Sequence, residues 1–95
     1  MIKHIVLFKF KEASPAVIDT AVSKLRNLEG KVESLRSIEV GIDLIRSERS
    51  YDVALIATFD DMDGLQAYQV HPEHVKVIDY IATVKESTIA VDYEY

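Results

Sequence analysis

The sequence predicts an α+β domain with four antiparallel strands in one sheet and helices on one of its faces. Three observations point there. Four stretches carry apolar, β-branched and aromatic residues at strand spacing. Two longer stretches space apolar residues as an amphipathic helix does. Their order is βαββαβ, and a two-layer packing is its natural solution. The 95 residues suit one domain spanning 1–95, with enough chain for a modest core.

Residues 2–11 form the first strand. Ile2, His4, Val6, Phe8 and Phe10 share one face; Lys3, Ile5, Leu7, Lys9 and Lys11 share the other. A solvated face would be polar along its length. Ile5 and Leu7 instead predict that the second face is covered too, with another subunit as a candidate cover. Ser14 then caps a helix that starts with Pro15 at its first position. Ile18, Ala21, Val22, Leu25 and Leu28 follow helical spacing, and Gly30 is the expected stop.

Residues 34–46 form the second strand, with Ile38, Val40, Ile42 and Leu44 on one face and Gly41 marking a candidate bulge. Arg46 to Ser50 is a polar turn. Tyr51 to Phe59 is the third strand, and its Ala54 and Ile56 again make the second face apolar. Asp60 and Asp61 offer a cap for a helix that carries Leu65, Tyr68 and His71 on one side. Pro72 breaks that helix. Its ring removes an N–H and pushes His71 out of the α region, but it suits the first turn of a new helix. Val75, Ile78, Ile81 and Val84 resume the helical spacing. Glu86 to Tyr93 is the last strand. The whole is the ferredoxin-like arrangement.

Composition excludes several function classes. No cysteine is present, so disulfides and thiolate metal sites are absent, as suits a reducing compartment. The formal charge of −5 argues against nucleic acid as a partner, with Lys3, Lys9 and Lys11 a local exception. The N-terminal stretch lacks a cleavage signature, and no apolar run approaches a membrane span. The expected location is cytoplasmic, with no membrane partner. His71 and His74 with Glu73 resemble a metal set in composition, but Pro72 interrupts their helix and no third ligand is evident. Asp60, Asp61 and Asp63 suit a helix start better than a calcium loop. There is no glycine-rich phosphate loop, and Ser50 has no nucleophile-elbow context. We expect neither metal nor cofactor.

Three stretches resemble a known family. They are His4-Ile5-Val6-Leu7-Phe8-Lys9-Phe10-Lys11, the run from Tyr51-Asp52-Val53-Ala54-Leu55 to Phe59, and Tyr68-Gln69-Val70-His71-Pro72-Glu73-His74-Val75, followed by Val91-Asp92-Tyr93. Together they are similar to the stress-responsive A/B barrel domain family of the dimeric α/β-barrel superfamily. The resemblance implies a homodimer whose two sheets pack face to face into a barrel. It also implies plant polyketide cyclases among the relatives, with a histidine and a tyrosine as the catalytic pair. Carried onto this chain, these are His74 as general base and Tyr68 as hydrogen-bond donor to a developing oxyanion.

Each candidate has a structural reading beside the chemical one. His74 can be a packed histidine that shapes the corner, and Tyr68 a core aromatic with its hydroxyl satisfied. His4 lies on the more apolar strand face, where a lone histidine is usually a hydrogen-bonded core residue; the resemblance places it in the same cavity as His74. Phe8 shares its face, and Leu55 and Ala57 are candidate neighbours in substrate binding. His71 is expected to fix the bend. The first helix carries no aromatic residue and the chain has no tryptophan, which departs from the aromatic-substrate cyclases. Two functions follow: a dimeric module that binds a small hydrophobic molecule between helices and sheet, or a cyclase- or isomerase-like enzyme using His74 and Tyr68.

Overall fold

The computed structural model describes residues 1–95. It contains β1 (Ile2–Phe10), α1 (Pro15–Arg26), β2 (Ser37–Ile42), β3 (Val53–Phe59), α2 (Met62–Val70), α3 (Pro72–Val84) and β4 (Lys85–Glu94). The strands form one antiparallel sheet in the order β2-β3-β1-β4. This is the ferredoxin-like α+β fold that the element order predicts, with its second helical region split in two.

Local chemistry sets the helix ends. Ser14 Oγ accepts the Val17 N–H at 3.3 Å and Pro15 opens α1. Lys24 and Arg26 sit in the last turn of α1, where cations complement its C-terminal partial charge. The helix stops at Arg26 with Asn27 as its cap, earlier than the expected stop at Gly30. Gly30 instead serves the following turn, where its φ of +83° suits glycine. Asp61 caps α2 by accepting the Gly64 N–H at 2.9 Å.

The core lies between the helices and one sheet face. Phe8, Phe10, Leu55 and Phe59 from the strands meet Leu25, Leu65, Tyr68 and Ile81 from the helices. The predicted alternation of β1 holds. On α3 the buried residues are Val77 and Ile81, with Tyr80 and Val84 partly buried; Val75 and Ile78 of the expected stripe stay largely exposed. An i, i+3, i+4 pattern fits more than one stripe when a helix is mostly apolar, and packing against α1 selects this one.

Two strand expectations need correction. The second strand is Ser37–Ile42 rather than 34–46, and the third begins at Val53 rather than Tyr51. The chain between them turns through Arg46, whose φ of +56° is uncommon outside glycine. Asp43 holds that turn by accepting the Arg46 N–H at 2.7 Å. Leu44 consequently leaves the sheet and is 90% exposed. Gly41 sits in unbroken register, so no bulge occurs there. The sheet's bulge is between β1 and β4, at Lys9 and Phe10.

Asp52 ties this turn to the core strand. It is 4% exposed, accepts the Phe10 N–H at 2.7 Å with one oxygen, and receives an Arg46 N–H at 2.7 Å on the other. Its own N–H donates to the Phe8 carbonyl at 2.8 Å. The opposite face of the sheet has no helix over it. Ile5, Leu7, Ala54 and Ile56 are half-buried there, while Ile89 and Val91 are 50% and 60% exposed. Asp52→Ala is expected to cost about 1–3 kcal/mol, because it leaves the Phe10 N–H buried without a partner. Urea unfolding at fixed protein concentration checks this, and an unchanged midpoint would show that the Asp52 link is energetically idle.

Candidate functional site

The site grows from the break at Pro72. The His71 backbone is extended (φ −63°, ψ 135°), which ends α2 and starts α3. His71 caps the new helix: its Nδ1 accepts the Glu73 N–H at 3.1 Å. Its Nε2 lies 3.7 Å from a Glu33 carboxylate oxygen. His71 is thus the residue that fixes the bend.

The corner brings Tyr68 and His74 together, with ring centroids 4.2 Å apart. On a continuous helix, six residues turn through about 600°, which leaves the two side chains roughly 120° apart. The Tyr68 ring also packs on Phe59 at 5.0 Å and meets His4 edge-on at 6.1 Å. Tyr68 is fully buried and its hydroxyl has no hydrogen-bond partner. Burial pushes its phenol well above the ordinary tyrosine value, so it stays a neutral donor.

His74 Nδ1 lies 3.1 Å from the Gln69 carbonyl. A carbonyl only accepts, so Nδ1 carries the hydrogen and Nε2 of the neutral ring keeps its lone pair. Burial holds the His74 pKa below the ordinary value; the Gln69 hydrogen bond opposes this, and charge on His4 or His71 adds to it. The result is an uncharged imidazole at neutral pH with one basic nitrogen uncommitted within the protomer.

His4 is 7% exposed on β1, and its Nδ1 pairs with the Asp92 carboxylate of β4. The strand register sets these two residues directly opposite each other. Asp92 is a site residue that sequence reasoning did not single out. Its signal appears only once the pairing of first and last strands is known.

His4 and His74 share a cavity of about 270 Å³ between α3 and the sheet. No helix packs broadly on β4, so the helical layer leaves this opening beside β1 and β4. Phe8 and Leu55 line it, along with Val6 and Leu25. Ile78, Ile81 and Ala82 of α3 complete an apolar wall, with Gln69, Lys85 and Thr88 as its further polar members. Tyr68 and Ala57 are fully buried and do not line it. No three His, Asp or Glu side chains are grouped as a metal site. The arrangement offers apolar volume, a neutral base and a carboxylate-supported histidine, a combination suited to binding a small molecule and to moving one proton.

No helix is long and apolar enough to cross a membrane. The model of the Stress Responsive A/B Barrel Domain family matches residues 2–95. A stress-response A/B barrel domain-containing protein of Arabidopsis thaliana is 30% identical, over 96% of this chain and 83% of that protein. Olivetolic acid cyclase of Cannabis sativa is 26% identical, over 97% of this chain and 94% of the cyclase. Among solved structures, a dimeric protein of unknown function and ferredoxin-like fold from Bacteroides fragilis superposes with a TM-score of 0.88. It is 36% identical and covers 99% of this chain and 95% of its own. The full-length family match and the shared fold establish that this chain belongs to the stress-responsive A/B barrel domain family.

Proposed function

We propose that the protein is a homodimeric module that binds a small hydrophobic molecule in the cavity between α3 and the sheet. The observation that carries this reading is the cavity itself: an apolar wall, with His4 and His74 as convergent polar groups. That composition is the usual one for small-molecule sites. Homodimerisation is supported by the uncovered apolar face of the sheet and by the dimeric state of the Bacteroides fragilis relative. A face of that kind left in water is an association site.

A second reading is favoured by one specific observation, the 3.1 Å contact between His74 Nδ1 and the Gln69 carbonyl, which places the ring hydrogen on Nδ1. It leaves Nε2 free to take a proton from a carbon next to a carbonyl. The likeness to olivetolic acid cyclase supports this chemistry at the level of a relative. The Tyr68 hydroxyl, a buried donor without an acceptor, is the group this reading assigns to the carbonyl oxygen. It requires the ligand oxygen to reach behind the His74 ring.

Three outcomes are expected. In sedimentation at micromolar concentration the protein runs as a dimer, and Ile56→Asp shifts it to monomer; a monomeric wild type would remove the face-to-face packing. The His74 pKa lies below that of an unfolded-chain histidine, so the folded state binds fewer protons. His74 therefore costs no stability above the unfolded value near 6.5, and stability falls as the pH drops below it. Urea midpoints between pH 7.5 and 5 should fall less steeply in His74→Gln; an equal slope contradicts the assigned burial effect. Finally, heptane-2,4-dione in D₂O should exchange its C3 protons faster with the protein than without. His74→Ala should lower that enhancement by about 10²–10⁴-fold while keeping the dimer; unchanged exchange would remove His74 as the base.

A further inference from the structure

The cavity holds one charged side chain that neither reading uses. Lys85 lines it together with Thr88, and it is the only lysine, arginine or carboxylate to do so. Its position follows from the bulge between β1 and β4. Phe8 pairs with Thr88 and Lys9 with Ser87, so an unbroken ladder would set Phe10 opposite Glu86. The register shift sets Phe10 opposite Lys85 instead. Phe10 is buried on the helix-covered side, so the bulge brings a lysine to that side in place of a glutamate. Glu86 is left within 3.8 Å of Lys9 Nζ. Bulges that re-aim a side chain in this way recur beside binding sites.

Lys85 makes no ion pair within the protomer. An ammonium at the mouth of an apolar cavity selects a ligand with an anionic end and an apolar body. Its methylene stem can cover part of that body while the charge stays at the opening. The Thr88 hydroxyl adds a donor on the neighbouring part of the same strand.

We propose that the cavity takes an amphipathic carboxylic acid. The carboxylate pairs with Lys85 Nζ and the Thr88 hydroxyl, and the acyl chain runs along Val6, Leu25, Leu55 and Ile81 toward His74. The volume of about 270 Å³ corresponds to about nine water-sized groups, the scale of a medium-length acyl acid. This deepens the binding function proposed above and rests on the cavity being a ligand site.

The test is calorimetric titration with octanoate and its neutral counterpart octanamide, on the wild type, Lys85→Met and Ala82→Trp. Both positions are exposed, so neither substitution disturbs the buried core. The wild type should bind octanoate about tenfold more tightly than octanamide, the scale of one charge-assisted contact. Lys85→Met should remove that preference and leave octanamide affinity near the wild-type value. Ala82→Trp should weaken both probes by filling the cavity. Equal wild-type affinities, or an octanoate preference that survives in Lys85→Met, would overturn the role of Lys85 while leaving the cavity as a ligand site. Undiminished octanoate binding to Ala82→Trp would place the acid elsewhere and overturn the proposal. If neither probe binds the wild type, the binding function and this proposal both fall.

Discussion

Pro72 has no N–H to give, and its ring excludes α geometry at His71. The chain must therefore leave one helix and enter another at this point. His71 makes the break tolerable by accepting the Glu73 N–H at the new helix start. The turn converts a sequence separation that would splay Tyr68 and His74 apart into a tilted ring contact with centroids 4.2 Å apart. It also puts the Gln69 carbonyl within 3.1 Å of His74 Nδ1, which selects the tautomer. One backbone constraint thus sets the position of the imidazole and the nitrogen it presents. Burial then keeps the ring uncharged.

The cavity has a separate origin, in the mismatch between a wide sheet and a narrow helical layer. Helices cover β2, β3 and β1 well, and β4 poorly. The inner face of β4 therefore contributes Lys85 and Thr88 to an opening rather than to the core. Asp92, on the same face, is spent on His4. The outer face of the same sheet is apolar and uncovered within the protomer. Dimerisation through that face and ligand binding on the helix side would use opposite surfaces of β1 and need not compete.

Much of the fold was legible because it rests on periodicity and caps. The two faces of β1, the Ser14–Pro15 start and the His71 corner all follow from local rules. Strand ends were less legible. Leu44 continues the alternation of β2, but the Asp43–Arg46 turn takes it out of the sheet. The lining of the cavity was legible where family likeness or face parity applied, as for His4, Phe8, Leu55 and His74. The site was opaque where register decided. Asp92 meets His4, and Asp52 meets the Phe10 N–H, only through long-range pairing. Lys85 is harder still, since parity from Thr88 points to Glu86 and a bulge reverses the answer. Tyr68 shows the opposite limit: its type and position invite a chemical role, while its complete burial behind His74 appears only in three dimensions.

The proposed ligand lies between α3 and the sheet, with its charged end at β4 and its apolar end near His74. The direct measurement is a methyl NOE spectrum of the protein saturated with octanoate. Contacts are expected from the acyl chain to the methyls of Leu55, Ile78 and Ile81. Contacts to Ile5, Ile89 and Val91 instead would put the molecule on the outer sheet face and contradict this placement.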